Sequence, residues 1–235
     1  MKISKQVVFQ GIKQILCIPY IYIKHGFKLP CDNYYSRVKY QLPFDGEWTV
    51  VNGGCEKKFS HSWGVPTQRY AYDFLIMDDN GKTNQGNVAE LTSYACYDKN
   101  VLAPADGVVV SIGNICDDEK PFINGSMEAM AKDIRGNFIL IKHAEKEYGF
   151  LGHLKPQSIE VKIGQKVYRG EVVAKCGNSG NTSEPHIHFH LQDGIGFFTS
   201  MGIPITFENI RVIKKKGYEN YDVRIVSDLQ KSAQA

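Results

Sequence analysis

The sequence has little of several features that define large classes of protein. Its 9 prolines exclude a proline-rich or collagen-like chain. Its six cysteines are widely spaced and form no Cys-x-x-Cys pair, so we expect mostly buried free thiols rather than a zinc finger. Lysine and arginine total 28 against 25 acidic residues, a net charge of +3 that gives no bulk electrostatic reason to expect a nucleic-acid partner.

Long hydrophobic runs are also missing. The longest apolar stretch near the start, Ile15 to Ile23, contains a proline and is far shorter than the roughly 20 residues that a bilayer span needs. Lys2 and Lys5 precede an apolar region, as they would in a secretory signal, but Lys13 and Gln14 interrupt that region. We therefore expect no transmembrane span and no clear signal peptide in this segment.

The composition that remains is that of a globular protein, with 43% hydrophobic and 23% charged residues. Residues 1–45 lack a clear period and predict an irregular or helical N-terminal arm packed on a main domain. Residues 46–200 form that domain. Residues 201–235 are expected to be a C-terminal extension packed on it, with a frayed tail from Ser227.

The sequence of the main domain consists of short strand-like runs separated by turn residues. This pattern predicts a mainly β fold with an antiparallel sheet. A polar insertion at 114–136 is expected to hold a helical turn within 126–132. The predicted strands lie at 47–51, 70–77, 108–110, 138–143, 148–154, 161–167, 171–174 and 186–191.

Three histidines alternate with apolar residues in the last of these strands. Because successive side chains of a strand point to opposite faces, His186, His188 and His190 share one face and the apolar residues enter the core. A divalent metal ion would explain such a row, since it binds neutral imidazole. Zinc is the favoured metal, and iron(II) held by two histidines and one carboxylate is the alternative.

A catalytic zinc usually has three protein ligands, so other segments of the chain must supply part of the ligand set. Asp73 lies in the strand-like run 70–77, and His153 lies between apolar neighbours. His190 is expected to support a ligand from behind rather than to bind the metal. His143, at the end of another strand, is expected to be structural.

These segments together resemble the LytM/lysostaphin-type zinc metallopeptidases of family M23, over residues of about 61–192. The resemblance implies a barrel-sandwich-type fold (a duplicated hybrid motif) and one zinc ion per chain. The matching segments are Tyr70-Ala71-Tyr72-Asp73-Phe74, Val101 to Val109, Gly152-His153-Leu154, Val161 to Glu171, Gly177 to Asn181 and His186-Ile187-His188-Phe189.

By this resemblance, Asp73 and His188 are zinc ligands, and His153 and His186 are catalytic residues that do not bind the metal. The sequence departs from the family at one position. The usual first ligand lies four residues before the aspartate, where this chain has Arg69, a permanent cation that cannot bind zinc.

The nearest upstream imidazole is His61, which we predict to be the third ligand. The alternative is that His61 only caps a loop, with His190 or nothing as third ligand. Arg69 and Asn181 are expected near the groove.

The resemblance implies hydrolysis of peptide bonds by a metal-activated water, in the cross-links or stem peptides of peptidoglycan. We expect the protein to be a monomer. Such a substrate implies an extracellular or wall-facing location, which conflicts with the lack of a clear signal. A catalytically degenerate protein that binds or regulates through the same fold is the alternative. A biotinyl-type carrier is disfavoured because no Met-Lys-Met tip is present, and a double-stranded β-helix iron enzyme because the carboxylate comes first in the chain.

Overall fold

The computed structural model describes residues 2–28, 30, 34, 36–121, 128–129, 131–213 and 223–227. Within these residues there is one α-helix, fourteen strands and three short 3-10 helices at Lys57–Phe59, Pro66–Gln68 and Leu91–Ser93. Among the described residues, no helix combines the length and apolarity that a membrane crossing requires.

The regular elements are numbered along the chain. They are β1 (Lys2–Ile3), α1 (Lys5–Lys24), β2 (Glu47–Asn52), β3 (Tyr72–Leu75), β4 (Asn100–Leu102), β5 (Gly107–Gly113), β6 (Glu128–Ala129), β7 (Asn137–Ala144), β8 (Glu147–Leu154), β9 (Lys166–Val167), β10 (Val172–Lys175), β11 (Ile187–Gln192), β12 (Gly202–Ile203), β13 (Ile210–Ile213) and β14 (Val223–Ser227).

Ten of these strands form one antiparallel sheet in the order β13-β14-β2-β3-β11-β8-β7-β5-β9, with β12 paired to β11. A second antiparallel pair joins β4 to β10, and β1 pairs with β6 in parallel. The prediction of a mainly β, antiparallel fold with a helical N-terminal arm is therefore confirmed.

The central strand β11 shows the predicted alternation. Its apolar side chains Ile187, Phe189 and Leu191 are fully buried, and each contributes roughly 1.5–3 kcal/mol by leaving water. Phe74 of β3 and Leu151 of β8 belong to the same core. The core therefore fixes β11 between its two neighbours and turns its polar face the other way.

The arm before β2 is tied to the sheet through one buried carboxylate. Glu147 accepts hydrogen bonds from the hydroxyls of Tyr34 at 2.9 Å, Ser36 at 2.5 Å and Tyr40 at 2.9 Å. At the other end of the chain, β14 pairs with β2 and so adds the C-terminal extension to the main sheet. The predicted domain boundaries stay predictions, and the tail after Ser227 lies outside the described residues.

Three local predictions were wrong in detail. The strand predicted at 161–167 is reduced to Lys166–Val167, because Gly164 turns the chain with φ of 86°. The strand predicted at 70–77 is limited to Tyr72–Leu75. The expected helical turn within 126–132 is contradicted at 128–129, which form β6, while 126–127 and 130 lie outside the described residues.

The cysteines agree largely with expectation. All five that the structure describes are free, and three of them, Cys96, Cys116 and Cys176, are buried. Cys17 is half-buried and Cys55 is exposed. Cys31 lies outside the described residues.

Candidate active site

A cleft of about 390 Å³ opens beside strands β3, β8 and β11. The five residues predicted as ligands or catalytic groups all line it: His61, Asp73, His153, His186 and His188. These residues span more than half of the sequence. The sheet brings Asp73, His153 and His188 together because β11 pairs with β3 on one side and β8 on the other, and His61 reaches the cleft from the turn after Phe59.

Asp73 is the centre of the cluster. His188 Nδ1 lies 2.9 Å from Asp73 Oδ1, and His61 Nδ1 lies 3.1 Å from Asp73 Oδ2. His186 Nε2 is 3.7 Å from Oδ1, and the Asn52 side-chain amide donates a hydrogen bond to Oδ2 at 3.2 Å. One buried carboxylate therefore faces three imidazole rings.

The charges of the cluster follow from this arrangement. Burial alone would raise the pKa of Asp73, but its hydrogen bond to His188 and its imidazole neighbours outweigh burial and hold that pKa well below the ordinary range. Burial lowers the pKa of His61 more than the carboxylate raises it. The site at neutral pH thus combines an ionised carboxylate with an imidazole that favours its neutral form.

Behind the cleft, a chain of hydrogen bonds runs along one face of β11. The Gln192 side-chain NH2 donates a hydrogen bond to Gly194 O at 2.6 Å. Its Oε1 therefore faces His190 Nε2 at 3.0 Å and accepts a hydrogen bond from it. Burial lowers the pKa of His190 to about 3, so the ring is neutral and its Nδ1 carries a lone pair. That lone pair accepts from His188 Nε2, at 3.0 Å.

The consequence is that His188 carries a proton on Nε2. With a proton on Nε2, the ring turns Nδ1 toward Asp73 Oδ1, and that nitrogen either carries a second proton or offers a lone pair. Two acceptors that face each other at 2.9 Å repel unless a proton or a cation is shared between them. The arrangement of the chain's own atoms therefore fits a cation at this position.

His153 and His186 have the opposite tautomer. His153 Nδ1 donates to Ser179 O at 2.7 Å and His186 Nδ1 donates to Glu184 O at 2.8 Å, because a carbonyl oxygen can only accept. Nε2 of both rings therefore points away from these carbonyls. Burial, joined by the nearby His186 and His188 rings, holds the pKa of His153 well below its ordinary value.

A β-bulge aims His153 at the cleft. Between the pairs Asn137–Leu154 and Ile139–Leu151, two residues of β8 face the single residue Phe138 of β7. His153 takes a left-handed conformation there, with φ of 58°, which is uncommon for a residue with a side chain. Bulges of this kind redirect a side chain next to functional sites.

Two glycines leave room for the loop whose Ser179 carbonyl orients His153. A Cβ on Gly136 would lie 2.1 Å from Ser179 O, and one on Gly180 would lie 2.3 Å from Gly136 N. Both glycines have positive φ, 65° and 91°. The loop that carries Ser179 can therefore approach the β7 turn only because neither position has a side chain.

In the part of the chain that the structure describes, two overlapping groups of side chains could hold a metal ion, each with ligand atoms within 4.8 Å of one another. The first is His61, Asp73 and His188, the set predicted from the sequence, and the second is His153, His186 and His188. Only the first contains a carboxylate, which offsets the charge of a dication.

The remaining predicted residues lie in different places. Asn181 lines the cleft. Arg69 is buried and donates to Trp63 O at 3.0 Å and to the Tyr22 hydroxyl at 2.8 Å, so it holds α1 and the loop after His61 in place. His143 lies outside the cleft lining, with Nδ1 2.9 Å from Asp106 O.

Two supporting residues were missed from the sequence. Gln192 continues the two-residue spacing of the histidine row, and that spacing could have identified it. Asn52 gave no signal, since only the pairing of β2 with β3 places it opposite Asp73.

Comparison with known proteins gives a family match over residues 91–199, to the model described as Peptidase family M23. Peptidoglycan DD-endopeptidase ShyA of Vibrio cholerae is 39% identical over 56 residues, which are 24% of this chain and 13% of that protein. Cell division protein DipM of Caulobacter vibrioides is 32% identical over 92 residues, 39% of this chain and 12% of that protein.

Among solved structures, a zinc-containing peptidase from Vibrio cholerae aligns with a TM-score of 0.42 and 20% identity, over 73% of this chain and 41% of that chain. The matched region spans about an eighth of the length of the two curated relatives. The family match includes His153, His186 and His188 and begins after His61 and Asp73. The resemblance predicted from the sequence is confirmed, since residues 91–199 match the model of peptidase family M23.

Proposed function

We propose that this protein is a zinc-dependent endopeptidase that cleaves peptide bonds in peptidoglycan. The observation that carries the proposal is the convergence of His61, Asp73 and His188 at one wall of a cleft that also presents His153 and His186. A buried structural core has no need for three imidazoles around one ionised carboxylate, with a fourth ring beside them.

In this proposal His61, Asp73 and His188 hold the metal, and the donor set of two imidazoles and one carboxylate suits zinc. Bound zinc would act as a Lewis acid and lower the pKa of water at the site. The hydrogen-bonded row from His188 to Gln192 supports the set by keeping the Nδ1 lone pair of His188 available.

The two other histidines would handle protons. His153 and His186 each have Nδ1 fixed on a backbone carbonyl, so Nε2 is the atom free to accept a proton and later to donate it. Their ring centroids are 4.7 Å apart, close enough for both to face one scissile peptide group. After accepting a proton, either ring can stabilise a developing negative charge.

The substrate class rests on the relatives. ShyA is named a peptidoglycan DD-endopeptidase and DipM a cell division protein, which supports a peptide of the cell wall as substrate. The cleft volume of about 390 Å³ accommodates a few small residues rather than a folded chain.

The test is hydrolysis of isolated peptidoglycan and of soluble cross-linked muropeptides by the purified protein with one equivalent of zinc. New amino and carboxyl termini, identified by mass spectrometry, are expected with the full chain and are expected to be lost in His188→Ala. Zinc that binds stoichiometrically without any cleavage of either substrate would contradict the proposal.

A second candidate is a catalytically degenerate protein that binds cell-wall peptides. Arg69, at the position where the family usually has a ligand, favours it. The two candidates differ in one measurement: the degenerate protein would bind a muropeptide with the same affinity with and without zinc and would release no new termini.

A further inference from the structure

Helix α1 exposes more apolar surface than is usual for a helix on a protein surface. Its outer face is apolar and exposed, with Phe9 68%, Ile15 67% and Leu16 71% exposed. A surface helix normally turns its apolar side to the core. The outer face of α1 comprises Val8, Phe9, Ile12, Ile15, Leu16, Tyr20 and Ile23.

The side of the helix that contacts the domain carries the buried Ile21 and several polar side chains. The Gln10 side chain donates to Lys132 O at 3.2 Å and accepts from Ile134 N at 2.9 Å. Gln14 lines the cleft, and the Tyr22 hydroxyl accepts from buried Arg69. These contacts fix the rotation of α1, so the outer face is presented to the surroundings by the fold itself.

An apolar patch of this extent on a soluble surface marks an interaction site. The helix has 20 residues, and a helix of that length extends about 30 Å. Part of the outer face also borders an apolar groove of about 310 Å³ with Thr199.

The charge around this face identifies its partner. Residues 2–28 contain five lysines and no aspartate or glutamate. Lys5, Lys13 and Lys24 are exposed on the helix itself. A second copy of the chain would bring like charges together, whereas an anionic lipid surface attracts the lysines while its acyl region takes up the apolar side chains.

We propose that α1 is a membrane-surface anchor, which lies in the plane of an anionic bilayer with its outer face in the lipid. The inner face stays on the domain, so the helix offers the bilayer one side only. Because Gln14 on that inner side lines the cleft, binding would hold the candidate active site close to the membrane surface.

The test is flotation of the full chain with vesicles of about 30% phosphatidylglycerol in phosphatidylcholine, compared with phosphatidylcholine alone. We expect flotation with the anionic vesicles only, and loss of most of it in about 0.5 M salt. The double variant Ile12→Gln/Leu16→Gln should bind at least about tenfold less, because two apolar side chains leave the lipid. Both positions are exposed, so the fold should be unaffected, as circular dichroism would verify.

The matched control is Ile163→Gln, at a position that is 66% exposed and lies far along the chain from α1. It should float like the wild type. Absence of wild-type flotation, or equal flotation of the double variant, would overturn the proposal. So would a wild-type dimer in lipid-free light scattering that the double variant converts to a monomer, since a second copy would then cover the face.

Discussion

His188 Nε2 and His190 Nδ1 lie 3.0 Å apart on one face of β11, and this contact decides which nitrogen of His188 faces Asp73. The His190 ring is itself fixed by Gln192 and stacks on Phe150 with ring centroids 4.9 Å apart. The candidate metal ligand is therefore oriented by a row of residues on its own strand.

Replacing His190 should weaken zinc binding without removing a ligand. His190→Phe should raise the dissociation constant for zinc about 10- to 100-fold, the usual effect of losing a group that orients a ligand. His190→Glu should restore much of the affinity, since a carboxylate also accepts from His188 Nε2. Competition with a chromogenic chelator measures both, and His143→Gln outside the cleft is the control. An unchanged constant in His190→Phe would show that the row does not orient the ligand.

Single alanine variants should separate the two possible ligand sets. If His61, Asp73 and His188 hold the metal, His61→Ala should bind zinc at least about 100-fold more weakly while His153→Ala keeps near wild-type affinity. Metal content after dialysis against zinc measures this. If His61→Ala keeps its zinc and His153→Ala loses it, the ligand set His153, His186 and His188 would be favoured instead.

Asparagine at His153 should abolish chemistry and preserve the fold. Asparagine tolerates the left-handed φ of 58° better than other side chains, so we expect normal thermal unfolding and zinc content. Peptide hydrolysis should fall about 10²- to 10⁴-fold, the range for loss of a general acid or base. His153→Val is the comparison: its β-branched side chain should make the bulge unstable as well. Activity within about twofold of the wild type in His153→Asn would exclude a proton-transfer role.

Removing the Glu147 carboxylate should destabilise the protein. Tyr34, Ser36 and Tyr40 all donate to it. Glu147→Ala leaves the two tyrosine hydroxyls without this acceptor and Ser36 with Val38 O alone. We expect a loss of about 3 kcal/mol in the free energy of unfolding, measured with urea. Glu145→Ala, whose side chain is 83% exposed, should change it by less than about 0.5 kcal/mol. Equal effects in both variants would contradict the assigned role.

His143 should make stability depend on pH. Burial lowers its pKa from 6.5 to about 4, and its Nε2 has no hydrogen-bond partner among the described residues. Between these values the unfolded chain binds the proton and the folded chain does not, so this contribution is complete above pH 6.5 and is lost as the pH falls toward 4.

Urea unfolding of the metal-free wild type and His143→Gln at pH 7 and pH 4 measures the effect. The free energy of unfolding of the wild type, relative to that of His143→Gln, should fall by about 3 kcal/mol on acidification. A constant difference at both pH values would show that His143 titrates normally in the folded protein.

The sequence alone predicted the two faces of the central strand and the five candidate site residues that line the cleft. The alternation from His186 to Leu191 set one polar and one apolar face, because the side-chain period of a strand is a local property. The family resemblance identified Asp73, His153 and His188 as candidate site residues before any interatomic distance was known. It also drew attention to His61, because Arg69 cannot bind a metal.

Tertiary structure decided how these residues meet. Asp73 and His188 are separated by 115 positions, and they become neighbours only because β3 pairs with β11 in one register. The same pairing of distant strands placed Asn52 beside the carboxylate. Such pairings depend on which faces the whole core buries, and no local pattern contains that information.

The orientation of α1 was equally beyond the sequence. Its apolar residues would ordinarily predict a face turned to the core. Hydrogen bonds between Gln10 and the segment 132–134, one from Arg69 to Tyr22, and burial of Ile21 instead hold the opposite side on the domain. The direction in which a helix faces is set by the partners that satisfy its side chains, and only the folded chain brings those partners together.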